Sequence, residues 1–216
     1  MVRQFHAQLD SLRERVLAMG ALARQNLLDG VQCLVAMDSN LAAKVIERGE
    51  QLNRMDVEIE RDALDLLALN QPVAQDLRTI GASLKIITYL DRIGRYGYDI
   101  AKVFRQMGGR EQLHRPVAFT IMAQAATKML DQALEAYRTR DANLARAVPG
   151  QDDVVDALNE QIFRQCITYM MEDSRTITVY SHYILVARHL ERAADNARKI
   201  AEKALYMVTG ERRLQV

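Results

Sequence analysis

Proline is almost missing from this chain, with three in 216 residues, and glycine is sparse at ten. So few breakers exclude a fold made of many short, turn-linked segments and leave one of long uninterrupted helices. Two cysteines, Cys33 and Cys166, exclude a disulfide scaffold, match no metal or redox motif, and read as small apolar residues. Neither charge dominates: 29 basic against 28 acidic side chains leave a net charge of +1, which provides no basic field for nucleic acid. Tryptophan is absent. No apolar run approaches the ~20 residues of a membrane span, and the N-terminal M-V-R-Q-F-H lacks the apolar block of a signal peptide. A cytoplasmic chain without a membrane span is therefore expected. Glycine-rich phosphate loops and loop-borne Ser/His/Asp arrangements are also missing, which is consistent with a chain that is not an enzyme.

What is present is 49% hydrophobic and 26% charged residues, with 23 arginines to 6 lysines. Arginine favours forked pairing with carboxylate or phosphate without identifying either. From Phe5 the series Leu9, Leu12, Val16, Met19, Ala23, Leu27, Val31, Leu34 alternates steps of three and four, the near-heptad period of a long bundle helix. Asp38-Ser39-Asn40 stops it and caps a second helix carrying Leu52, Met55, Ile59, Ala63 and Leu66. Pro72 suits the first position of a third helix, with Asp76 in its first turn and Leu77, Ile80, Leu84 and Ile87 as its seam. Met107-Gly108-Gly109 ends that helix, and 108–116 reads as a linker. A fourth helix follows to Thr139, then a short piece at 141–147 before Pro149-Gly150. The fifth runs from Asp152 to Glu172 with Val155, Leu158, Ile162, Cys166 and Tyr169, and Asp173-Ser174 caps the sixth, which ends at Gly210.

Three helices, a linker and three more suggest an internal repeat. Y-L-D-R-I-G-R-Y of the third helix matches H-L-E-R-A-A-D-N of the sixth, aligning Asp91 with Glu191. The fold class is all-α: two tandem three-helix bundles, residues 1–109 and 110–216, each a rod ~50 Å long.

The sixth helix carries Glu191 and Asp195 one turn apart on one face. The apolar series Ile177, Ile184, Ala187 leads by the same steps to Glu191, which places an acid at a core-facing position. Like charges at this spacing destabilise a helix by roughly 0.2–0.5 kcal/mol and call for a cation, which Arg188, Arg192 or Arg198 could supply. The fifth helix repeats the spacing with Asp152 and Asp156. In an antiparallel hairpin turning at 173–174, residues 156 and 191 share a level, as do 152 and 195, ~26–32 Å from the turn. Four facing carboxylates repel unless protonated or bridged, and an all-oxygen set favours Mg²⁺, Mn²⁺ or iron. In the first bundle, a turn at Pro72 would pair Asn53 with Asp91 and Gly49 with Arg95. Only one of these four is acidic and one is a fixed cation, so a full metal site is not expected there, and at best a weak one through Glu50 or Asp56.

Beside these residues the chain carries stretches that resemble the PhoU family of phosphate-uptake regulators: Q-P-V-A-Q-D-L-R (71–78), L-D-R-I-G (90–94), V-D-A-L-N-E-Q-I-F-R (155–164), V-A-R-H-L-E-R (186–192) and I-A-E-K-A-L-Y-M-V-T-G-E (200–211). The resemblance implies two three-helix bundles, commonly a homodimer, and metal clusters on E/D-x-x-x-D pairs. Carried over, the metal role falls on Asp152, Asp156, Glu191 and Asp195, while Gly49, Asn53 and Arg95 depart from the pattern. It also implies a cytoplasmic adaptor that restrains the phosphate-starvation response by contacting a sensor histidine kinase and the ATPase subunit of the Pst phosphate transporter. A purely structural bundle, its acids held by arginines, remains open. A carboxylate-bridged metalloenzyme would need paired Glu-x-x-His motifs, and the chain has one, Glu111 to His114, in the linker. His6, His114, His182 and His189 are scattered and read as surface or bundle-edge residues. Tyr96, Tyr98, Tyr180 and Tyr183 suit helix-face packing, and Met170-Met171 is expected to fill core near the turn.

Overall fold

The structure, a computed structural model, describes residues 2–108 and 118–211. Among these the chain is helical without strands: α1 (Val2–Ala36), α2 (Ser39–Asn70), α3 (Ala74–Gln106), α4 (Phe119–Thr139), the short α5 (Ala142–Ala147), α6 (Asp152–Glu172) and α7 (Ile177–Thr209). Single 3₁₀ turns at Pro149–Gln151 and Ser174–Thr176 lead into α6 and α7. Asp38 caps α2 by accepting from the Asn40 and Leu41 amides at 2.9 and 3.0 Å, and Asp141 caps α5 in the same way. Asp173 accepts from the Arg175 amide and so caps the 3₁₀ turn ahead of α7, and Gly210, at φ 75°, closes that helix. Of the expected linker, Gly108 is left-handed at φ 64°, while 109–116, with Glu111 and His114, lies outside the described residues.

Helices α1, α2 and α3 pack on one another as one unit; α4 and α6 flank α7 in the other, with α5 against α4 and α7. The units join side by side, α3 on α7 and α1 on α4. All nine apolar positions of the α1 series, Phe5 through Leu34, are buried. The seam between α3 and α7 is antiparallel. Arg78 donates to the Met207 carbonyl at 3.4 Å near one end, and Tyr96 stacks on His189 further along, ring centroids 5.7 Å apart. Asn196 donates to the Tyr96 hydroxyl at 3.3 Å across the same seam. At the far end of α7, Tyr180 and Tyr183 are buried in an aromatic cluster with Phe119 and Tyr169.

Three sequence expectations change. Pro72 does not open α3, which begins at Ala74 after an extended Val73. Leu77 and Ile177 are each 48% exposed and Met171 is 83% exposed, so all three, near the ends of their helices, face solvent instead of the core. The core stripe of α7 runs instead through Val179, Tyr183, Val186, Leu190, Ala193, Ala197 and Ala204, so Glu191 stands at its flank and not in its line.

Close approach sets the α1–α3 crossing. A Cβ on Gly97 would stand 2.3 Å from the Asn26 carbonyl oxygen, and one on Gly30 would stand 2.6 Å from the Gly97 carbonyl oxygen. Beside this contact, buried Asn26 donates Nδ2 to the Gly94 carbonyl at 2.9 Å. Gly81, on the same helix, has nothing within 4 Å of its would-be Cβ. Gly97→Ala is therefore expected to lower stability by about 3 kcal/mol through backbone overlap, and Gly81→Ala to raise it by about 0.5–1 kcal/mol through helix entropy; urea unfolding of the two variants beside wild type checks both signs.

Candidate carboxylate site

Asp152 and Asp156 rise from the first turns of α6, which the 3₁₀ turn at 149–151 launches alongside α7. Opposite them, Glu191 and Asp195 occupy the middle of α7. The expected pairs meet: Asp152 feels the charge of Asp195, and Glu191 that of Asp156. Burial, reinforced by repulsion from Asp156 and Asp195, pushes the Asp152 carboxyl above its ordinary range against the pull of Arg198. Burial and repulsion from Asp195 and Asp156 raise Glu191 likewise, opposed by Arg188 and Arg192. Of the three candidate arginines, Arg198 makes the direct contacts. Its Nε lies 3.3 Å from Asp152 Oδ2, and its Nη2 donates to Asp195 Oδ1 at 3.1 Å. Asp152 and Asp195 keep 20% and 35% of their side-chain surface exposed, so these contacts are only partly screened.

The first bundle departs from its expected register. Asp91 faces Asp56, not Asn53: burial and then Asp91 raise the Asp56 carboxyl, with Glu60 adding to the effect. A Cβ on Gly94 would overlap Leu52, and one on Gly49 would meet Tyr98, not Arg95. These pairs centre near residue 73, displacing α3 along α2 by ~3–4 Å from the register a turn at Pro72 would impose. The left-handed Gln71 and Ala74 explain the shift, because they make the connection irregular. The counterparts of Asp152 and Asp195 are then Leu52 and Arg95, an apolar residue and a cation. Arg95 pairs with Asp99 at 3.5 Å and lies 4.8 Å over the Tyr98 ring. Burial raises the Asp91 carboxyl, although Arg95 and Arg92 pull it down, and Asp56 Oδ1 is buried without a hydrogen-bond partner. The i, i+4 spacing of Asp56 and Glu60 was the sequence signal for this face.

The donor set of the second bundle, oxygen only and self-repelling, fits a hard cation in kind. Among the described residues, however, no three His, Cys, Asp or Glu side chains converge closely enough to hold a metal ion; Arg198 draws Asp152 and Asp195 onto itself. The histidines lie elsewhere. His6 is 3.7 Å from Asp76, and burial lowers the pKa of His189 on the α3–α7 seam. Burial pushes the thiols of Cys33 and Cys166 up to about 12 and about 11, which keeps them as inert core residues.

The sequence signature of the PhoU domain matches twice, at residues 16–104 and 119–204, one match per unit of the fold. The chain belongs to the PhoU family. It is 37% identical over 209 residues to the phosphate-specific transport system accessory protein PhoU homolog of Pseudomonas aeruginosa, covering 96% of this chain and 86% of that one. It is 32% identical over 210 residues to the protein of the same name from Clostridium acetobutylicum, covering 96% and 95%. The crystal structure of PhoU from Pseudomonas aeruginosa superposes with a TM-score of 0.90 at 36% identity, covering 96% of this chain and all of that one. The phosphate transport system regulatory protein PhoU of Streptococcus pneumoniae gives 0.89 at 26% identity, covering 98% and 100%. The PhoU fold thus places one hairpin of facing acids in each half, four-membered in the second and reduced to Asp56 and Asp91 in the first.

The raised carboxyls set a direction for pH dependence. Between the ordinary carboxylate pKa and the raised folded one, the folded chain binds more protons than the unfolded chain, so stability falls as pH rises through that window. Asp56→Asn removes one such group. It is expected to raise the thermal midpoint at pH 7 by on the order of 2 °C, the gain being full above the raised value and gone below the ordinary one; thermal unfolding at stepped pH checks it.

Proposed function

We propose that this PhoU-family chain is a non-catalytic cytoplasmic adaptor of phosphate uptake. It restrains the phosphate-starvation response through a sensor histidine kinase and the ATPase subunit of a phosphate transporter, and works as a homodimer. The observation that carries the reading is the match of both halves, over 96% of the chain, to relatives named as accessory proteins of the phosphate-specific transport system. Consistent with an adaptor, its surface consists of long polar helix faces, and among the described residues no helix is long and apolar enough to cross a membrane. Deleting the gene is expected to switch on phosphate-starvation transcription in phosphate-replete medium. A reporter that stays silent in the deletion strain rejects the role.

In the same reading Asp152, Asp156, Glu191 and Asp195 hold an iron, manganese or magnesium-type cation. The ion supplies positive charge where burial and mutual repulsion already strain the carboxylates. A second reading, a metal-free interaction bundle, is favoured by the contacts of Arg198 with Asp152 and Asp195. Elemental analysis of purified, tag-free protein separates the two. Metal is expected in wild type and lost in Asp195→Arg, and Arg95→Asp, which would add an acid beside Asp91, is expected to raise the count. Equal content in all three would remove the metal assignment.

A further inference from the structure

Arg198 stands between the two helices of the carboxylate site and draws on an acid from each: Asp152 of α6 at 3.3 Å and Asp195 of α7 at 3.1 Å. Its side chain is 30% exposed, and its Nε is buried without a well-formed hydrogen bond. The contact with Asp152 is therefore charge held near charge, not a saturated donor–acceptor pair. Glu202, one turn further along α7, adds a third acidic neighbour. The first bundle makes the contrast. There Arg95, at the position equivalent to Asp195, lies over Tyr98 and pairs with Asp99, and among the described residues no ion pair bridges Asp56 and Asp91.

We infer that Arg198 is the built-in counter-cation of the second-bundle carboxylates, and that its guanidinium and a divalent cation exclude each other at Asp152 and Asp195. The inference rests on the metal reading above and says how that site is regulated. Four carboxylates that suit a hard cation fail to converge on one because two of them are already committed to arginine. Two positive centres within ~3–4 Å of the same oxygens repel strongly where the dielectric is reduced by partial burial, so a cation enters only as the guanidinium leaves. Loading thereby exchanges an α6–Arg198–α7 ion pair for direct ligation, and the way α6 is tied to α7 depends on metal supply.

Titration of metal-stripped full-length protein with Mn²⁺ by calorimetry, with thermal unfolding in parallel, tests this on wild type, Arg198→Gln and Arg198→Lys. Arg198→Gln is expected to bind Mn²⁺ roughly three- to tenfold more tightly than wild type. It should melt lower without metal and gain more on adding it. Arg198→Lys keeps the charge but cannot fork to two carboxylates, so its affinity should fall between the two, and it serves as the test if the glutamine variant does not fold. Equal or weaker binding by both variants, with wild type binding Mn²⁺, overturns the exclusion and leaves the metal reading standing. Absence of Mn²⁺ binding in all three proteins overturns the metal reading itself, and the inference with it.

Discussion

Two helices, α3 and α7, are each enclosed by at least three others, and that enclosure depends on how closely backbones can approach. A helix packed on three sides must carry small residues where its neighbours cross, or the crossing opens and apolar surface is lost to water. Gly94 and Gly97 do this on α3, one accepting a hydrogen bond from buried Asn26 and the other letting the α1 backbone into contact. On α7 the same task falls to Ala187, Ala193, Ala194, Ala197, Ala201 and Ala204, all buried. With both helices so lined, the two repeats lie against each other along one antiparallel seam, and Tyr96, His189 and Asn196 meet across it.

The carboxylates follow from that arrangement. Because α7 is enclosed by α3, α4 and α6, a residue at the flank of its apolar stripe is neither in the core nor free in water. Glu191 and Asp195 are such residues, and α6 brings Asp152 and Asp156 against them. Partial burial raises the energy of the charged forms, and the mutual repulsion adds to it. Arg198 offsets part of this in the second bundle. In the first, Leu52 removes one charge, and Arg95, paired with Asp99 and lying over Tyr98, offsets the burial of Asp91 only in part, so Asp56 and Asp91 face each other. One topology repeated within one chain thus carries two electrostatic solutions, and the PhoU family likeness covers both halves equally.

Much of this was legible in the linear pattern. The helix boundaries read from Asp38, Gly108, Thr139, Pro149, Asp173 and Gly210 agree closely with the observed elements, because capping and breaking are local events. The α1 stripe was legible for the same reason: a near-heptad spacing over more than thirty residues has one way to be buried. The second-bundle acids were legible from midpoint arithmetic, since the α6–α7 connection is compact. The same arithmetic failed at α2–α3, where left-handed Gln71 and Ala74 shift the register and exchange Asn53 for Asp56 as the mate of Asp91. Apolar spacing in turn misjudged Ile177, Leu77 and Met171, which face solvent near helix ends, because apolar character alone does not say what packs against a residue.

The sequence by itself determined the class of fold, the duplication, the helix ends and the identity of the four acids, all of which depend on regular spacing along the chain and on compact turns. Only the tertiary structure decided which helix of one half lies on which helix of the other, how far α3 slides along α2, and which of three nearby arginines reaches the acids. Those outcomes depend on distances of a few ångströms between segments far apart in the chain, and at that scale one turn of helix separates an ion pair from an unbridged pair of like charges.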